Sequence, residues 1–298
     1  MLNVVTVHWL SAKWIPTQLD YLDRNAGGPY RVFASLNGIE DPEIRRRFHY
    51  ARDIETNSHP EKLNLLSQVV MEDSKPEDRI LFLDGDAFPV QPLEPWVGET
   101  LEQHGLAAIQ RRENAEDTRP HPSFCVSTVG FWKEHGLDWT PEDWVTPTGH
   151  LFQDAGGRLA RQLEAHGVDW LPMVRSNTDD LHPLWFAVYG HRVYHHGAGF
   201  RPRVSKVDQL KNPALYAVNF AWDGPSLGQL AVAVKRDPSL ILKARPKSFE
   251  KVVSSARRTA LRRFARWHGA RAESESDEVF ERILADPKFY LEFDSTLV

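Results

Sequence analysis

The sequence predicts an α/β fold, and three observations carry that prediction. Apolar, β-branched runs alternate with segments of helical apolar spacing. A short, fully apolar run, Arg79–Leu83, leads directly into Asp84-Gly85-Asp86. The 298 residues are 41% hydrophobic, enough to bury a substantial core as one large domain with an appendage or as two small ones.

The elements follow in order. Residues 2–9 read as a first strand: the segment lacks the basic start and small-residue cleavage site of a leader peptide. Residues 15–22 carry helical spacing, broken at Asn25-Ala26-Gly27-Gly28-Pro29, and Tyr30–Leu36 reads as a second strand closed by Asn37-Gly38. Ser58 and Glu61 stand at capping-box spacing with Pro60 in the first turn, so a helix should run to about Asp73. After Arg79–Leu83 the pattern gives a helix near residue 100 and apolar runs at 105–110 and 123–132. A helix at 155–166 and strands at 168–174 and 185–194 complete the series. Strands separated by helices imply a parallel sheet whose ligand crevice lies beyond the carboxyl ends of the strands, where His8-Trp9, Asn37 and Asp84–Asp86 all fall. From residue 223 the pattern turns helical, giving an expected division into a domain over 1–222 and a helical extension over 223–298.

Composition excludes several classes. The formal charge of −5 leaves no electrostatic footprint for nucleic acid. Cys125 is the only cysteine, which rules out an intrachain disulfide and a thiolate zinc cluster and suits a cytoplasmic protein. No apolar run is long enough to span a bilayer. Lys243 to Arg271 holds ten Lys/Arg against the single acid Glu250, with apolar residues at helical spacing. That tract fits peripheral contact with the inner membrane surface, or a helix packed on the main domain with its basic side in water.

Two motifs carry chemistry. Asp84 and Asp86 at a strand end can direct oxygens at one divalent ion, Mn²⁺ or Mg²⁺, and Gly85 permits close approach of a ligand; a solvated turn is the bland alternative. In Tyr194-His195-His196-Gly197-Ala198-Gly199-Phe200-Arg201-Pro202, His195 or His196 can complete the ion's coordination. Arg201 can pair with phosphate oxygens. The same stretch also reads as a polar loop following a strand.

A βαβαβ start ending in an apolar strand and Asp-x-Asp, with a late His-Gly loop, resembles the GT-A glycosyltransferase superfamily. The late loop is similar to the His-x-x-Gly-x-x-Lys-Pro signature of glycosyltransferase family 8: His196 and Gly199 fit that spacing, while Arg201-Pro202 arrives one residue early with Arg in place of Lys. The resemblance implies a nucleotide-diphospho-sugar donor and a glycan, lipid-linked or small-molecule acceptor. It also implies a nucleotide site lined by Thr6, His8 and Trp9, with Lys62 and Asn64 facing the base and diphosphate. Asp154 matches the position of an acidic residue facing the acceptor, where a carboxylate can accept the hydroxyl proton; it is equally a good helix N-cap. A sugar-phosphate nucleotidyltransferase is a second enzymatic reading, although the glycines such enzymes carry after the first strand are missing here. A non-catalytic carbohydrate-binding or adaptor module is a third.

Overall fold

The structure is a computed structural model that describes residues 1–149, 151–177, 185–197 and 276–292. The chain forms two compact units, Met1–Phe200 with Val279–Val298, and Arg201–Glu278. The sheets and the carboxylate pair belong to the first. The expected division at 222/223, the basic tract 243–271, Gly199 and Arg201 lie outside the described residues.

The elements in order are β1 (Leu2–Trp9), α1 (Ile15–Asn25), β2 (Tyr30–Asn37), α2 (Pro42–Arg45), β3 (Tyr50–Arg52), α3 (His59–Asp73), β4 (Arg79–Leu83), β5 (Ala87–Pro89) and α4 (Trp96–Gln103). They continue with β6 (Leu106–Ile109), β7 (His121–Thr128), α5 (Val129–Glu134), β8 (Glu142–Val145), β9 (Leu151–Asp154), α6 (Gly157–Ala165), β10 (Leu171–Met173), β11 (Ala187–Tyr189) and β12 (Val193–His195). A helical stretch at 276–285 and a 3₁₀ turn at Phe289–Glu292 follow.

Seven strands form the main sheet in the order β10-β6-β7-β4-β1-β2-β3. All pairs are parallel except those made by β7, which runs against both β4 and β6. The fold is therefore the expected mixed α/β one, with one antiparallel strand the pattern did not show. The cause lies in the connection: no helix occurs between Ile109 and His121 to carry the chain across the sheet face, so it turns back instead. The predicted strand at 185–194 is a hairpin, β11–β12, because Gly190 and His191 both take positive φ (55° and 56°) and close a tight turn.

Period-two alternation sorts the core into two layers. On one face Val4, Ala34, Leu81, Leu83 and Phe124 meet Ile15, Leu19 and Leu22 of α1. On the other, Val5, Phe33, Phe82 and Cys125 meet Leu63, Leu66 and Val70 of α3, with Trp132, Trp139 and Leu159. The tryptophans at 132 and 139 are thus core residues and offer no face for stacking sugars. No helix among the described residues is long and apolar enough to cross a membrane.

Candidate metal and nucleotide site

Strand β4 ends at Leu83, and the chain turns through Asp84-Gly85-Asp86 into β5, a turn closed by Ala87 N–H donating to Asp84 O (2.9 Å). The small sheet β11-β12-β5 then brings a distant segment back, because β12 pairs antiparallel with β5 and sets His195 opposite Ala87. His195 Nε2 lies 3.5 Å from Asp84 Oδ2 and 3.6 Å from Asp86 Oδ1. The three ligand atoms fall within 4.8 Å of one another. Ligands about 2.1 Å from one ion stand about 3 Å apart when adjacent and about 4.2 Å when opposite, so the donor set fits a single divalent cation.

The surroundings favour a cation as well. Asp84 Oδ1 is buried and accepts no hydrogen bond among the described residues. Burial drives the Asp84 carboxyl up to about 7; nearby Arg111 opposes the shift and the Asp154 charge adds to it. A carboxylate held out of water beside another carboxylate is stabilised by bound positive charge.

His196, the adjacent candidate ligand, is not part of this group. Its ring is buried between Trp14 and Phe186 (centroids 4.5 and 4.6 Å), Nδ1 meets Tyr194 Oη at 2.9 Å, and burial pulls its imidazole down to about 3. Its backbone N–H donates to Asp86 O (3.0 Å), so it serves the ion turn through the main chain.

The nucleotide-facing candidates divide. Thr6 and His8 are fully buried and offer no surface to a ligand. Thr6 Oγ1 donates to Gln18 Oε1 (3.3 Å), and burial draws the His8 imidazole down to about 4. Trp9 is partly exposed at the end of β1, with Lys62 Nζ 3.9 Å from its ring centroid. Lys62 is buried, and burial lowers its ammonium pKa. Asn64 is not at the crevice: its Oδ1 accepts from Trp139 N–H (2.8 Å) and its Nδ2 reaches Thr140 Oγ1 (3.4 Å), tying α3 to the loop after α5.

Asp154 is exposed at the end of β9 and is not the helix cap; Gly156, at φ 94°, is. Its carboxylate accepts from Ala155 N–H (2.7 Å) and lies close enough to His59 and Asp84 to act on both electrostatically. Arg119 holds this corner. It forks onto Asp117 (2.9 and 2.7 Å) and donates to Ala155 O (3.0 Å).

Further residues lie near the carboxylates, among them His59, which opens the helix start expected to face the base and diphosphate, and His121, a candidate for lining the sugar pocket. His59, first residue of α3, places Nε2 3.4 Å from Asp84 Oδ1. His121 lies 6.1 Å from His195 between ring centroids, and Arg111 is close enough to act on Asp84. Gln18 donates from Nε2 to Asp84 O (2.7 Å) and Ala87 O (2.8 Å). Arg111 and Gln18 are not expected from the sequence pattern; the signal for Gln18 is that it is a polar residue on the apolar stripe Ile15, Leu19, Leu22.

No protein-family model and no curated protein matches the sequence. Among solved structures, similarity is found to TarS of S. aureus, residues 1–349 (13% identity, TM-score 0.40, covering 94% of this chain and 91% of that one). It is also found to the mannosyltransferase PcManGT from Pyrobaculum calidifontis in complex with GDP-Man and Mn²⁺ (13%, TM-score 0.39, 98% and 80%). A third is the galactosyltransferase LgtC in complex with donor and acceptor sugar analogs (12%, TM-score 0.39, 57% and 73%). Two of the three are described as glycosyltransferases, one transferring mannose and one galactose. At these identities function is read from the side chains.

Proposed function

We propose that the protein is a metal-dependent glycosyltransferase that moves a sugar from a nucleotide-diphospho-sugar to an acceptor hydroxyl. The observation that carries this reading is the convergence of Asp84, Asp86 and His195 at the carboxyl edge of a mainly parallel sheet. A bound Mn²⁺ or Mg²⁺ would neutralise a diphosphate there and stabilise the leaving nucleoside diphosphate. The chain's own residues do the rest. Trp9, its ring flanked by the Lys62 ammonium, stacks against the base; Arg201 pairs with phosphate oxygens; and Asp154, exposed beside the carboxylates, takes the acceptor's proton. In this reading the catalytic domain spans residues 1–222, and the helical extension 223–298 ends in residues that pack back with the first unit. The proposed setting is the cytoplasm, with the basic tract 243–271 as a helix packed on the catalytic domain, its basic side in water; peripheral contact with the inner membrane surface is the alternative.

The test is thermal shift with nucleoside diphosphates and nucleotide sugars, with and without Mn²⁺. A ligand at 100 times its Kd stabilises the native state by about 2.7 kcal/mol. Stabilisation should require both nucleotide and Mn²⁺ and should vanish in Asp86→Ala. Equal stabilisation in EDTA, or in the variant, would remove the ion from the mechanism. Pyrophosphate release from a nucleoside triphosphate and a sugar phosphate would assign a nucleotidyltransferase instead.

A further inference from the structure

We infer that Gln18 is the positioning residue of the ion site, fixing the turn that aims the Asp84 and Asp86 carboxylates. The inference rests on the proposed ion site. Helix α1 buries one stripe, Ile15, Leu19 and Leu22, against the sheet, and Gln18 falls on that stripe with no exposed surface. A primary amide in such a place is costly unless every group on it is bonded.

Here the amide is used fully. Both Nε2 protons go to carbonyl oxygens, Asp84 O and Ala87 O, which bracket the turn. Carbonyls only accept, so the nitrogen must face them and Oε1 must face the Thr6 hydroxyl. Asp86 O is held separately by the His196 amide (3.0 Å). Carbonyls 84, 86 and 87 are therefore each fixed by a donor from another element. Fixing them fixes the backbone dihedrals between, and with these the directions of the Cα–Cβ bonds of both aspartates. The same contact explains the burial of Thr6: its hydroxyl anchors the amide and leaves the nucleotide to other residues.

Partners that orient metal ligands are typically worth about 10- to 100-fold in metal affinity. Gln18→Met keeps the length and removes both donors. Mn²⁺ titration of the full chain, followed by the electron paramagnetic resonance of the free aqueous ion, should show the Kd rising about 10- to 100-fold. Ile15→Val, a conservative core change on the same helix, should lower the melting temperature and leave the Kd within about twofold, which separates positioning from general stability. Gln18→Asn withdraws the amide by one methylene and should fall between wild type and Gln18→Met; it also serves if the methionine variant does not fold. A Kd unchanged in Gln18→Met, or in Gln18→Asn where only that variant folds, would overturn the inference while leaving the ion site standing. Wild type that binds no Mn²⁺ would overturn both.

Discussion

His195 and His196 are neighbours in sequence and opposites in environment: one faces two carboxylates, the other is packed among Trp14, Phe186 and Tyr194. Strand geometry requires this, because successive side chains point to opposite faces. The sequence thus implies that only one of the pair faces the ion, but not which, since that depends on the β12–β5 register. His195→Ala should weaken Mn²⁺ binding at least tenfold in a titration, whereas His196→Phe should bind Mn²⁺ nearly as wild type does. The buried imidazoles also make a pH prediction. His8 and His196 titrate near 4 and 3 in the fold, far below the usual value of about 6.5, because burial penalises the cation. His121 is lowered too, chiefly by burial and then by Arg111. As pH falls below 6.5 the unfolded chain takes up these protons first, so stability is lost at about 1.4 kcal/mol per pH unit for each proton. Asp84, raised to about 7, works the other way: the fold holds its proton first, so its contribution is lost as pH rises through that value. His59 is lowered by burial as well, and four imidazoles outweigh one carboxyl, so melting temperature in metal-free buffer should fall between pH 6.5 and 5. His196→Phe should flatten that slope, and an unchanged slope would place the titration elsewhere.

At the scale of elements, the corner from Arg119 to α6 decides where Asp154 stands. A Cβ on Gly156 would sit 2.2 Å from Pro120 O, and one on Gly157 would sit 2.2 Å from Glu142 O. The helix start is thus pressed against two other segments, and Gly156 also needs its φ of 94°. The sequence placed a helix here correctly but suggested Asp154 as its cap; the close approach that demands glycine came from Pro120 and Glu142, which lie well upstream in the chain. A similar partial success holds for α3. Ser58 caps it as the spacing implied, yet Glu61 reaches back through the Thr56 hydroxyl (2.6 Å), which in turn accepts from Ser58 N–H (3.1 Å). Gly156→Ala should destabilise by about 1–3 kcal/mol in urea unfolding through overpacking and strain. Asp154→Asn leaves the corner intact, since Gly156 and not Asp154 is the cap. Turnover should then fall by roughly 10²-fold or more while Mn²⁺-dependent nucleotide binding persists, if Asp154 is the base. Turnover equal to wild type would make Asp154 an electrostatic neighbour only.

At the scale of the whole molecule, residues 279–290 return to the first compact unit, although the sequence pattern assigns them to a separate helical extension. Val279, Phe280 and Ile283 recur at helical spacing and are buried, which the pattern implied. What buries them was not legible, because the covering surface belongs to residues more than 80 positions away. Phe280 packs edge-on to Trp14 (centroids 4.6 Å), Phe289 packs edge-on to Tyr194 (5.0 Å), and Tyr21 Oη donates to Pro287 O (2.7 Å). Trp14 in turn packs on His196, and Tyr194 lies within β12, immediately before His195. The segment therefore backs the strand that supplies the third ligand. Phe289→Ala should cost about 3–5 kcal/mol, the usual range for truncating a buried aromatic ring. Leu284→Ala, on the exposed side of the helical stretch at 54% exposure, should change stability by less than about 0.5 kcal/mol. If β12 relies on this support, Phe289→Ala should also weaken Mn²⁺ binding at temperatures well below its melting point, and Leu284→Ala should not. Equal stabilities for the two variants would show that Phe289 is not packed as described. A destabilised Phe289→Ala with wild-type Mn²⁺ affinity would show that the β5–β12 pairing alone holds His195 in place.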